Sequence, residues 1–242
     1  MRLLSILPPL ALLALSAGAS AAPAQIAGFS SDDLSAAATV QASREDTAAA
    51  AQACGEQFPD KAAMLRGDAY FWEQQQFKTM QAADLVRDRS HIPMGGVGPR
   101  SLEAYRKHLA EAAAKGGRQQ VEGLCGTLVA RLLDKPGAPP LIVPEASQRM
   151  EAVYSRTPHP PNEVRDHDFF VGCMIDRWNR RERDIAAMTP HCQCTAKVVT
   201  AMADAPDPSE YQAFARRAAT PASGIPAGIS QATQDKLQAC AR

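Results

Sequence analysis

The stretch VEGLCGTLVARLL, residues 121–133, decides the fold. Val121, Leu124, Cys125, Leu128, Val129, Leu132 and Leu133 fall at i, i+3, i+4, i+7, i+8, i+11 and i+12, which is one apolar face of a helix and not the alternation of a strand. Cys125 sits inside that stripe, so its sulfur points to a core and a buried bridge is expected.

Outward from this segment the same period recurs. Ser101 is positioned to cap a helix with Leu102, Tyr105, Leu109 and Ala112 on one side, and Gly116-Gly117 stops it. The run HIPMGGVGPR (91–100) precedes it as a break. Further back, Ser43 is read as the cap of a helix through Cys54 to Phe58, and Asp60 to Asp88 as a second, longer helix. Beyond residue 134 seven prolines fall within 135–163, with room for a short helix at 145–156. A helix is then expected over 163–188, apolar all round between Phe169 and Ile175. Thr189-Pro190 and Asp207-Pro208 read as two further starts, each a cap followed by proline. Ser230 opens a closing helix that carries Leu237 and Cys240. The chain holds 46 alanines against 19 valines and isoleucines together, a balance that favours helix over sheet. The expectation is an all-α, disulfide-stapled bundle. Its parts are an N-terminal arm over 22–43, a helical domain over 44–134, a Pro-rich linker over 135–163, and a second helical domain over 164–242.

The first residues read as an export signal. Arg2 is the positive end, Leu3 to Leu15 is nearly all apolar, and Ala19-Ser20-Ala21 gives the small-x-small cleavage pattern. That apolar run, about 13 residues, is too short for a permanent bilayer anchor. A signal peptide over 1–21 and a mature chain without a membrane anchor are therefore expected. Cleavage would remove Arg2 and no acid, leaving 25 basic against 26 acidic residues. Such a balance offers no field for nucleic acid or anionic lipid. The cluster Arg177, Arg180, Arg181, Arg183 is offset by Asp176, Glu182 and Asp184. Abundant Ala and Arg without glycosylation sequons suits a bacterial periplasm.

All six cysteines, Cys54, Cys125, Cys173, Cys192, Cys194 and Cys240, follow the signal. In an oxidising compartment an even number argues for three bridges, although six cysteines permit 15 pairings. Cys54 and Cys125 are the two of the first half and are expected to pair. In His191-Cys192-Gln193-Cys194 the two sulfurs lie about 200° apart on a helix, so they face different neighbours. One can reach Cys173 and the other Cys240. A competing reading starts the helix at Thr189, which puts Cys192 near exposed backbone N–H groups that favour a thiolate. The protein would then exchange disulfides, or hold Cu(I) with Met188, His191, Cys192, Cys194 and Met202 as soft ligands.

Other constellations are weaker. His167, between Asp166 and Asp168, is either an acid–base site or a charged first turn, and we expect the second. Gly95-Gly96-Val97-Gly98 lacks the ending of a phosphate loop. Phe71, Trp72 and Trp178 are expected in the core. No catalytic residue and no cofactor is expected, and the partner is expected to be another protein.

The arrangement Phe169-x3-Cys173, Cys192-x-Cys194, Glu210-Tyr211 and Cys240 resembles small exported bacterial helical proteins with a Cys…Cys-x-Cys…Cys framework. The resemblance covers the second half and implies a helical fold and export, but no activity. The function expected is non-catalytic: a periplasmic protein-binding or protective protein, such as an immunity protein or inhibitor. Thiol-disulfide or copper handling by Cys192 and Cys194 is the alternative, and a hydrolase around His167 comes third.

Overall fold

Helix α1 (Ser31–Gln57) begins where Ser30 and Asp33 satisfy each other, each side chain accepting from the other residue's backbone N–H. In this computed structural model residues 28–91, 102–160, 162–218 and 226–240 are described. The expected signal (1–21) and the glycine loop (95–98) lie outside them, as do residues 22–27 of the expected arm. From Ser31 onward that arm is helix, which corrects the sequence reading. Ala36, Ala37 and Val40 are buried, as are Ala50, Ala51, Ala53 and Cys54 further along. Alanine needs no strict periodicity here because other helices surround α1, and an encircled helix is apolar on several sides.

Helices α2 (Ala62–Gln75) and α3 (Phe77–Ser90) replace the single helix expected over 60–88. They part at Gln76, with neither Gly nor Pro to mark the break. Helix α4 (Leu102–Leu132) is two arms joined at Gly116-Gly117. Arg106 meets Glu56 at 2.7 Å, while Cys125 is bonded to Cys54, half a turn away on α1. A straight helix would hold residues 106 and 125 about 28 Å apart, so the chain doubles back. Gly117 carries the turn at φ 63°, ψ −159°, a region open essentially to glycine alone.

Helix α5 (Pro144–Arg156) starts with proline at its first position and ends before Pro158. Ala146, Met150 and Val153 share one face and are buried in the same core as α1 and α3. The Pro-rich stretch 135–163 is therefore not a linker throughout. Its middle belongs to the first half, and the connection between halves shortens to the residues after Arg156.

The second half opens with an antiparallel pair, α6 (Glu163–Asn179) and α7 (Ile185–Ala201). Asp166 accepts from Thr200 at one end, and Cys173 bonds Cys192 in the middle. The helix expected over 163–188 is broken at 180–184. Asp184 caps α7 by accepting from the Ala187 N–H, so Thr189-Pro190 is not a start. Pro190 lies inside α7 and deprives the Ala186 carbonyl of its usual donor. Helices α8 (Ser209–Ala218) and α9 (Gln231–Ala239) complete the nine helices of the described residues. Glu210 of α8 accepts from the Ser230 N–H and the Thr233 hydroxyl at the start of α9, which ties the two together. Among the described residues no strand occurs, and no helix is long and apolar enough to cross a membrane.

Two cores result. The large one gathers α1 to α5, whereas the small one centres on Met174, Met188 and Cys192. They meet where Trp178 lies against the bare backbone of Gly67 and packs edge-on to Phe71 at 5.6 Å.

Candidate functional site

The six cysteines form three bridges. Cys54–Cys125 joins α1 to the second arm of α4, Cys173–Cys192 joins α6 to α7, and Cys194–Cys240 joins α7 to the end of α9. Because α7 begins at Ile185, Cys192 is its eighth residue and not its third. The unpaired N–H groups that would favour a thiolate are two turns away. Met188 and Cys192, one turn apart, are buried together. His191 and Cys194 lie on the other side, and the His191 ring bonds the Cys240 carbonyl through Nδ1 at 2.9 Å. The soft-ligand set Met188, His191, Cys192 and Cys194 is thus divided between two faces of α7 and does not converge.

His167 is not a charged first turn. Its ring stacks on Phe77 at 3.9 Å and is largely buried, and its Nε2 has no hydrogen-bond partner. Burial pulls its pKa down, against weaker opposition from Asp168 and Glu163. Trp72 is buried in the large core, while Phe71 and Trp178 form the contact between halves. Within the arginine cluster, Arg177 pairs with Glu182 and Arg180 with Asp176, and Arg183 lies 4.3 Å over the Trp178 ring. These arginines are spent locally, as their mixed sequence neighbourhood leads one to expect.

A concave surface lies between α1 and α2. It is a groove of about 660 Å³, within the range of ligand-sized clefts. Ala48, Ala51 and Gly55 of α1 face Ala62 and Ala69 of α2 across it, with Tyr70 and Ile185 of α7 at its side. At one end the helices nearly touch, since a Cβ on Gly55 would come 3.2 Å from that of Ala62. At the other end Arg44 closes the groove through ion pairs with Glu73 and Asp84. Gln41 holds the same Asp84 at 2.8 Å. Eleven residues separate Arg44 from Gly55, so the groove runs about 16 Å along α1.

Its rims are polar. Arg66 is exposed on α2, and Glu56 is gripped by Arg106, whose hydrogen bonds hold that carboxyl below its usual range. Tyr70 is half-buried, and burial pushes its phenol up. A carboxylate locked to arginine accepts hydrogen bonds but is a poor proton acceptor. Small residues thus line the groove and charged residues stand at its edges.

Sequence reasoning named none of these groove residues. Alanines on two helices carry no chemical signal, and only the packing of α1 on α2 makes them a floor. It also missed Asp33, a nearly fully buried carboxylate held by Arg149 and Arg156 at 2.6 Å each. Burial raises the Asp33 pKa, but the Ser30 amide and hydroxyl with the two arginines more than reverse it. This cluster pins α1 to α5. Comparison with protein-family models, with curated proteins and with solved structures finds no match to this chain.

Proposed function

We propose that this is an exported, non-catalytic binding protein that takes a segment of another protein into the α1–α2 groove, in a protective or inhibitory role. The groove itself carries the reading: a floor of small residues about three turns long, closed at one end by helix contact and at the other by the Arg44–Glu73–Asp84 ion pairs. Two features support it. The Cys54–Cys125 bridge fixes α1, one wall of the groove, against α4. All six cysteines stand in bridges, which suits an oxidising compartment outside the cytosol.

The test fills the groove. Ala48 is exposed at its edge, and Ala48→Trp should occupy the space a partner needs. Wild-type protein immobilised in its oxidised form should retain a saturable partner from envelope extract, and Ala48→Trp should lose it. No saturable partner, or one retained equally by both proteins, would refute the proposal. Thiol counting on the native protein is the companion measurement. Reactive thiols mapped to Cys192 and Cys194 would favour thiol or copper handling instead.

A further inference from the structure

Four charged side chains line the α1–α2 groove: Arg44, Glu56, Arg66 and Glu73. Three of them are matched within the protein. Arg44 is paired with Glu73 and also reaches Asp84, and Glu56 accepts two hydrogen bonds from Arg106, at 2.7 and 2.8 Å. Arg66 is exposed and, of these four, is the one with neither an ion pair nor a hydrogen bond among the described residues. Ala62, Arg66, Ala69, Tyr70 and Glu73 fall within about 100° of one another around α2, so Arg66 belongs to the wall of the groove. It follows Ala62 by four residues, which places it about 6 Å from the end that Gly55 and Ala62 close.

The floor decides the form of the occupant. Ala48, Ala51 and Ala69 stand in helix interiors, where backbone N–H and C=O groups are already paired, and their side chains offer only methyl groups. An extended segment laid on them would lose the water on its own backbone groups and find no replacement. A helix satisfies its backbone internally and meets the floor with side chains alone. The groove, about 16 Å long, accommodates three turns of one.

We propose that the segment taken by the groove is an amphipathic helix of another protein with one Asp or Glu facing Arg66 and small or apolar residues one and two turns further on, toward Arg44. This rests on the reading of the groove as the binding site. Charge complementarity selects the carboxylate. It matches the one lining charge that lacks a partner and leaves the Arg44–Glu73 and Glu56–Arg106 pairs intact. A basic segment would meet Arg66 with like charge, and would have to break one of those pairs to be matched itself.

The probe is a phage-displayed set of Ala- and Gln-based helical peptides of about 15 residues, randomised along one face and selected on the full oxidised chain. Wild type should enrich Asp or Glu at one randomised position, and Arg66→Glu should enrich Lys or Arg at that same position. Arg66 has no partner to lose, so both proteins should show the same circular dichroism. A selected peptide should bind Arg66→Gln about fivefold more weakly, the upper scale of an ion pair reached by solvent. Changing its carboxylate to the amide should cost as much, and the two changes together no more than either alone. Peptides that Ala48→Trp excludes but that carry no acid, or whose acid preference persists on Arg66→Glu, overturn this inference and leave the groove as the binding site. Peptides retained equally by Ala48→Trp bind elsewhere and also overturn it, while the groove then stands or falls by the capture from envelope extract. Sedimentation of the chain alone is the control for self-association. A dimer that Ala48→Trp disperses would put a second copy of this chain in the groove and overturn the proposal.

Discussion

Gly67→Ala is the sharpest perturbation of the contact between the two halves. Gly67 is buried in the middle of α2, and a Cβ built there comes 2.2 Å from both Cζ2 and Cη2 of Trp178. Comfortable carbon–carbon contact is about 3.5–4.0 Å, so the indole or α6 must retreat by roughly 1.5 Å. Retreat is obstructed, because Phe71 packs on one edge of the indole and Arg183 covers a face. Overpacking of this kind costs about 1–3 kcal/mol. Replacing a mid-helix glycine by alanine returns about 1 kcal/mol, which leaves a net loss of about 1 kcal/mol, centred in a range from neutral to 2. The decisive result is a change of sign. In a Trp178→Ala background the obstructing ring is gone, so the same substitution should stabilise by about 1 kcal/mol as an unobstructed helix position would. Urea unfolding of the four proteins, followed by circular dichroism at 222 nm, gives the coupling directly. Stabilisation by Gly67→Ala in both backgrounds would show that Trp178 does not press on α2, and the docking of the halves described above would be wrong.

Two further substitutions probe other parts of the fold. Closing the 71-residue span between Cys54 and Cys125 stabilises by about 4 kcal/mol on the chain-entropy account. Cys125→Ser should therefore lower the unfolding midpoint far more under oxidising than under reducing conditions, and equal effects in both would refute the bridge. His167 supplies a pH signature. Its folded pKa is depressed by burial, so its contribution to stability is complete above the unfolded value of about 6.5 and is lost as pH falls through the folded value. His167→Phe keeps a ring against Phe77 and removes the proton. Denaturant midpoints between pH 7 and 5 should decline more steeply in wild type than in this variant, and parallel declines would place His167 in solvent.

How far the sequence could be read depended on whether a residue's partner lies on its own helix. The stripe from Val121 to Leu132 is complete in itself, so it gave the helix, its buried side and the buried Cys125, whereas Leu133, read as its last member, follows the end of α4 and is exposed. Cys192 and Cys194 could likewise be assigned to opposite sides from helix geometry alone. By contrast, α1 was legible only from Ser43, because alanines surrounded by several helices show no single face. Thr189-Pro190 misled for a local reason: it has the form of a cap followed by proline, yet Asp184 five residues earlier makes the actual cap. The Pro144–Arg156 helix looked like part of a linker because prolines flank it, and only its burial against α1 and α3 assigns it to the first half. The groove and the Tyr154–His159–Glu163 contacts were invisible for the same reason as each other. Ala51 and Ala62 become a floor, and Tyr154, His159 and Glu163 become a cluster, only after separate elements pack.

The two halves are held by different physics, and that difference bears on the proposed function. The first half buries Trp72, Leu65, Met80, Val86, Leu109, Leu132, Met150 and Val153 in one core, adds the Asp33–Arg149–Arg156 cluster, and takes a single bridge. In the second half the small core is Met174, Met188 and Cys192, and one of those three is itself half of a disulfide. A core of that size cannot by itself offset the entropy of ordering α6 to α9, so covalent cross-links take over the task that burial performs elsewhere, as in small secreted domains. The groove is not confined to the robust half. Ile185, the first residue of α7, borders it, and Tyr70 on its wall packs against the small core that contains Met188 of α7. Its shape therefore depends on α7 being held in place, and α7 is held by Cys173–Cys192 and Cys194–Cys240. A groove built in this way is complete only where disulfides persist, so the binding proposed for it requires conditions in which Cys173–Cys192 and Cys194–Cys240 stay oxidised.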